Sequence, residues 1–172
     1  VFEKALGVSL SAFDREFMGW VGAKVAFIDI EQFRALTQEG VAAIEAEMLD
    51  EAVEFLTRAI EFFPEYTGQQ NPYELLADVY IQMGDDRAAI DTLSRFAALS
   101  EYAYDTYLKL ADLMQETGDS EGAVDILTRA MYIRPMDLEG HRDLGSVLME
   151  REEFADAARE YQVLIALNAP DL

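Results

Sequence analysis

Residues 122–135 read GAVDILTRAMYIRP, and residues 51–64 read EAVEFLTRAIEFFP. The two stretches lie 71 residues apart and share Ala, Val, Leu, Thr, Arg, Ala and Pro in register. A chain that writes one helix twice is read first as a repeat. The stretch between them holds a further copy. Tyr73, Leu76, Ala77, Tyr80, Gly84, Ala89, Ile90 and Leu93 recur 34 residues on as Tyr107, Leu110, Ala111, Met114, Gly118, Ala123, Val124 and Leu127. Another 34 residues on, the set is His141, Leu144, Gly145, Leu148, Glu152, Ala157, Ala158 and Tyr161. Residue type lapses only at His141 and Glu152. An earlier copy, Gly40, Ala52, Val53, Leu56, Ala59 and Pro64, stands 37 residues ahead. The three extra residues fall in EYTGQQNP (65–72), which is rich in turn formers.

Each copy reads as two helices. Tyr107, Leu110, Ala111 and Met114 follow the i, i+3, i+4, i+7 spacing of one helical face. TGDSEGA (117–123) breaks it: Gly118 can close a helix in the left-handed conformation, and Asp119 or Ser120 can cap the next. Ala123, Leu127 and Ala130 line the second helix, which Pro135 cannot continue. Small residues at Ala111 and Ala123 let the two helices approach closely.

The period, the W-x-x-L-G-x-x-Y-like first helix, the small residue opening the second and the closing proline resemble the tetratricopeptide repeat family over about 33–170. The first unit departs most, with Glu39 where Leu is usual. The resemblance implies an all-α, right-handed superhelical array of four units, at about 33–69, 70–103, 104–137 and 138–172, preceded by a helical segment over 1–32. It also implies a non-catalytic scaffold that binds protein or peptide on the concave surface of stacked units. In this family the second, fifth, ninth, twelfth and thirteenth positions of each unit line that surface. Carried over, these are Arg34, Thr37, Val41, Ile44 and Glu45, then Asn71, Glu74, Asp78, Ile81 and Gln82. The third unit supplies Asp105, Leu108, Asp112, Gln115 and Glu116, and the fourth Glu139, Arg142, Ser146, Met149 and Glu150. A subgroup of the family grips a terminal carboxylate with Lys and Asn at such positions. Asp78 and Asp112 stand where Asn is wanted, so a carboxylate ligand would be repelled. A peptide with Lys or Arg beside an apolar anchor fits better.

Composition narrows the partners further. The net charge of −21 is spread over every unit. Such a chain repels phosphate backbones and anionic membrane surfaces, so neither nucleic acid nor membrane is an expected partner. Hydrophobic content of 51% is that of a folded chain, and no apolar run is long enough to span a bilayer. The absence of cysteine removes disulfides and thiolate metal sites but names no compartment.

Residues 1–32 lie outside the repeat. Ser11 with Asp14 resembles a capped helix start, and Phe13, Phe17 and Trp20 form an i, i+4, i+7 stripe. One reading is a helix that shields the open end of the array. A second is that Phe2, Ala5, Gly7, Ser9, Phe13, Asp14, Phe17 and Trp20 resemble the closing segment of peptidase MA-like zinc metalloprotease domains. That resemblance covers about 24 residues, lacks the H-E-x-x-H helix, and implies a catalytic domain upstream of a chain that begins in mid-helix.

No chemistry is expected of the chain itself. His141, the sole histidine, reads as a packing residue, because no second His or any Cys completes a zinc shell. HRDL (141–144) has no accompanying Gly-rich loop or D-F-G, and GDD (84–86) and GDS (118–120) lack the alternating oxygens of a calcium loop. No cofactor is implied. The last apolar face, including Phe154 and Ile165, has no further unit after it, and self-association through that end is expected.

Overall fold

A computed structural model describes residues 7–25, 29–100 and 102–168. These residues form nine α-helices and no strand. They are α1 (Leu10–Val25), α2 (Ile30–Glu45), α3 (Leu49–Phe62), α4 (Pro72–Met83), α5 (Asp86–Leu99), α6 (Tyr104–Glu116), α7 (Ser120–Ile133), α8 (Leu138–Glu150) and α9 (Phe154–Asn168). Helices α2 to α9 pair as four two-helix units, each packed on the next, with first helix α2 also touching α4. This is the expected all-α array. α2 begins at Ile30, capped by the Asp29 carboxylate, which accepts from Gln32 N at 3.0 Å; it thus starts three residues ahead of the anticipated unit boundary.

The local signals behave as chemistry dictates. Asp85 and Asp119 accept from Ala88 N (3.0 Å) and Gly122 N (2.9 Å), and so cap α5 and α7. The turn inside each unit needs one left-handed residue at the same repeat position. Gly84 (φ 77°) and Gly118 (φ 87°) supply it without strain. Glu47 (φ 58°) and Glu152 (φ 62°) hold the same conformation in the outer units, where no glycine stands. The Glu152 lapse is therefore a lapse of residue type only.

The core is equally periodic. Leu56, Leu93 and Leu127 are fully buried at one position of the second helices, facing small residues on the first. Ala77 and Ala111 fill the small position in the middle units. Gly40 and Gly145 fill it in the outer ones, where a Cβ would lie 2.7 Å from the Leu56 side chain and 2.8 Å from the Tyr161 ring. Units are tied together by an aromatic residue that donates to the end of the preceding unit. Tyr73 Oη donates to Pro64 O, Tyr107 Oη to Ala97 O and His141 Nε2 to Pro135 O, each at 3.0 Å.

The insertion after α3 also has a structural role. Phe63 and Tyr66 fold over Phe33, with ring centroids 5.7 and 4.7 Å from it, and Asn71 Nδ2 donates to Tyr66 O at 2.7 Å. The apolar end of the first unit is thus covered by aromatics of the array itself. In α1, Phe13, Phe17 and Trp20 stack along the helix at 5.9 and 6.2 Å, and Leu10, Phe17, Met18 and Trp20 stay largely exposed. Ser9 rather than Ser11 caps α1, because the Ser9 hydroxyl sits three residues before Ala12 and accepts from its N–H at 3.2 Å. Phe2 and Ala5, on which the metalloprotease resemblance partly rests, lie outside the described residues.

Candidate peptide-binding groove

The first helices α4, α6 and α8 carry most of the anticipated groove residues. Between α4 and α6 the structure gathers Glu74, Asp78 and Asp105 around a hollow of about 320 Å³, with Asn71 at its edge and Thr106 and Lys109 across it. Asn71 is only 1% exposed and acts as a cap, accepting from Tyr73 N at 2.9 Å while its amide holds the insertion. The carboxylates of this half are matched from within. Glu74 accepts from the Thr106 hydroxyl at 2.6 Å, Asp78 pairs with Lys109, and Asp105 lies 3.5 Å from Arg134. Arg134 in turn covers the Tyr104 ring at 4.3 Å, and Tyr104 donates to Asp137 at 2.7 Å. Burial and that hydrogen bond hold the Tyr104 phenol well above its usual range, and the same bond, with the α8 amides, keeps the Asp137 carboxyl low.

Between α6 and α8 the arrangement is the opposite. Asp143 follows Lys109 by 34 residues and Asp112 follows Asp78 by 34. The repeat thus places Asp143 towards Asp112 as it places Lys109 towards Asp78, and the cation of the ion pair has become a carboxylate. Both groups are held above the usual carboxylate range. Burial raises Asp112, helped by Glu116 and Glu139; burial raises Asp143, helped by Asp112 and Glu139, with Arg142 opposing. Among the described residues none of Asp112, Glu116, Glu139 and Asp143 has an ion pair.

The other anticipated residues are dispersed. Ile81 and Leu108 are half-buried against the core, Gln115 is half-buried, and Gln82, Arg142 and Met149 are exposed. Lys109, Thr106 and Asp143 were not anticipated. They sit at sixth and third positions, which the family pattern does not count as groove-lining, although the 34-residue register aligns Asp143 with Lys109. No group of three or more metal-ligating side chains converges among the described residues.

Residues 105–135, most of α6 and all of α7, match the family model described as tetratricopeptide repeat. The chain has the fold of a tetratricopeptide-repeat array. Its likeness to particular solved structures is one of fold. A crystal structure titled MamA protein matches with a TM-score of 0.66 at 20% identity, covering 80% of this chain and 73% of the other. A second MamA crystal structure gives 0.66 at 19% identity over 93% and 95%. MamA residues 41 to the end from Desulfovibrio magneticus RS-1 gives 0.60 at 16% over 78% and 75%. No curated protein matches the chain.

Proposed function

We propose that the array is a non-catalytic scaffold that grips a basic peptide segment along α4, α6 and α8. The observation that carries this reading is the in-register exchange of Lys109 for Asp143. Lys109 of the third unit neutralises Asp78 of the second; at the next seam Asp112 and Asp143 present two carboxylates, with Glu139 and Glu116 beside them. A Lys or Arg side chain from a partner supplies the charge that Lys109 supplies one repeat earlier. The half-buried Leu108 and exposed Met149 offer apolar contact nearby. A carboxylate-terminated peptide meets repulsion at the same place.

The test is the Asp143→Lys variant, which places an internal cation in register with Lys109. Capped peptides containing Leu-Lys, with Leu-Glu counterparts, are titrated by fluorescence anisotropy. The wild-type chain should bind the Lys peptide more tightly, with affinity falling as salt rises. The variant should stay folded and lose the preference for Lys. Equal binding of the Lys peptide by both proteins, or preference for Glu, would reject the groove.

A further inference from the structure

The seam between second helices α5 and α7 contains a hollow of about 550 Å³ away from the groove. Ala97, Tyr107 and Ile133 line its interior, and Ala98, Tyr102, Arg129 and Tyr132 stand around its mouth. The repeat explains why it is there. At one place in the second helices the first unit has Ala59-Ile60-Glu61 and the third has Ala130-Met131-Tyr132. The second unit has Phe96-Ala97-Ala98, so the bulky residue has moved back by one. Phe96 stacks on Tyr73 at 5.9 Å, and the position filled by Ile60 and Met131 in the neighbouring units is left to a methyl group.

The surroundings of the hollow are also unlike those of its counterparts. Arg58, Arg95 and Arg129 occupy one repeat position. Arg58 lies 3.7 Å from Glu54, and Arg95 covers the Tyr73 ring at 5.3 Å. Arg129 has no ion pair, hydrogen bond or ring contact among the described residues, in a chain of net charge −21. Tyr102 and Tyr132 beside it are each 85% exposed. Tyrosine and arginine around an under-filled pocket are residue types enriched among those that dominate binding energy at protein interfaces.

We infer that this seam is a second binding surface, for a protein segment carrying an aromatic or large aliphatic side chain next to a carboxylate. The apolar side chain takes the volume that Ile60 and Met131 take in the adjacent units. The carboxylate accepts from the Arg129 guanidinium and the tyrosine hydroxyls. Its charge preference is opposite to that of the groove, so one array holds a basic segment on its first helices and an acidic one on its second.

The full chain, isotopically labelled, is titrated by NMR with acetyl-Gly-Phe-Glu-Gly-amide and with the Lys counterpart. Long-range attraction to the acidic chain favours the Lys peptide everywhere, so selection for Glu can arise only from a local cation. Resonances of Ala97, Ala98 and Tyr132 should shift and saturate at about tenfold lower concentration of the Glu peptide, the worth of one charge-assisted hydrogen bond. Ala97→Met, which installs the third unit's own residue, should abolish these shifts. Ala98→Tyr, at an exposed site, should do the same if the first variant folds poorly. Arg129→Gln should remove the preference for Glu. Tighter binding of the Lys peptide at these residues, no shift with the Glu peptide, or unchanged binding in the filled variants would overturn the inference.

Discussion

His141 makes the last unit of the array sensitive to pH. It is 7% exposed, and its two ring nitrogens meet Glu160 Oε2 at 2.6 Å and Pro135 O at 3.0 Å. A carbonyl can only accept, so Nε2 donates to Pro135 O, and the protonated ring, an imidazolium, donates to Glu160 from Nδ1 as well. Burial alone would depress its pKa, but Pro135 O, Glu160 and Asp137 outweigh it and the value is raised. A raised folded-state pKa means that the stabilisation is complete below the unfolded value of about 6.5, and is lost as pH rises through the folded value. Deprotonation turns one of the two hydrogen bonds into an acceptor–acceptor contact in a mostly buried place. Loss of a charge-assisted bond there costs about 2 kcal/mol. For a chain of this size that is a fall in Tm of about 4–8 °C. The assay is thermal melting by circular dichroism from pH 5.5 to 9, with His141→Tyr as reference. Tyr73 and Tyr107 make the equivalent tie without an imidazole, so the variant carries the background pH dependence alone. The wild type should lose stability relative to the variant as pH rises. Parallel profiles, or a relative gain at high pH, would refute the imidazolium assignment.

Further outcomes follow from the repeat geometry. Glu47→Gly and Glu152→Gly should each stabilise the chain by about 1 kcal/mol in denaturant melts, because the left-handed conformation strains a residue with a Cβ. Gly145→Ala should destabilise by about 1–3 kcal/mol through its approach to Tyr161, and Gly145→Ala with Tyr161→Leu should recover most of it, since that pair copies Ala111 and Leu127. Phe154 and Ile165 are exposed on α9. Sedimentation velocity should show concentration-dependent association that Phe154→Ser with Ile165→Ser abolishes.

What the sequence disclosed was whatever depends on one unit at a time. The 34-residue recurrence, the Gly-Asp turns, the small residues facing Leu56, Leu93 and Leu127, and the breaking prolines are each set by local backbone and packing chemistry. They were legible because the same chemistry recurs. What stayed hidden depends on how one unit leans on the next. Asn71 has the right register for a groove residue, but the insertion turns its amide inward to Tyr66 O. Lys109 and Asp143 matter only because the sixth position of one unit faces the ninth of the unit before. The hollow beside Ala97 emerges only when side-chain volumes at three equivalent seams are compared. His141 looked like a packing residue, and it packs; its ionised state needed Glu160, which lies on the following helix.

The central claim is that the paired carboxylates Asp112 and Asp143 hold a partner's cation. Carbodiimide cross-linking reads this directly, because it joins a carboxylate to an amine only where the two touch. A Leu-Lys peptide bound to the full chain, treated and digested, should yield lysine amides at Asp112 or Asp143, competed by unlabelled peptide. Cross-links spread over exposed carboxylates such as Asp50 and Glu51 on the second helix of the first unit, with none at Asp112 or Asp143, would contradict it.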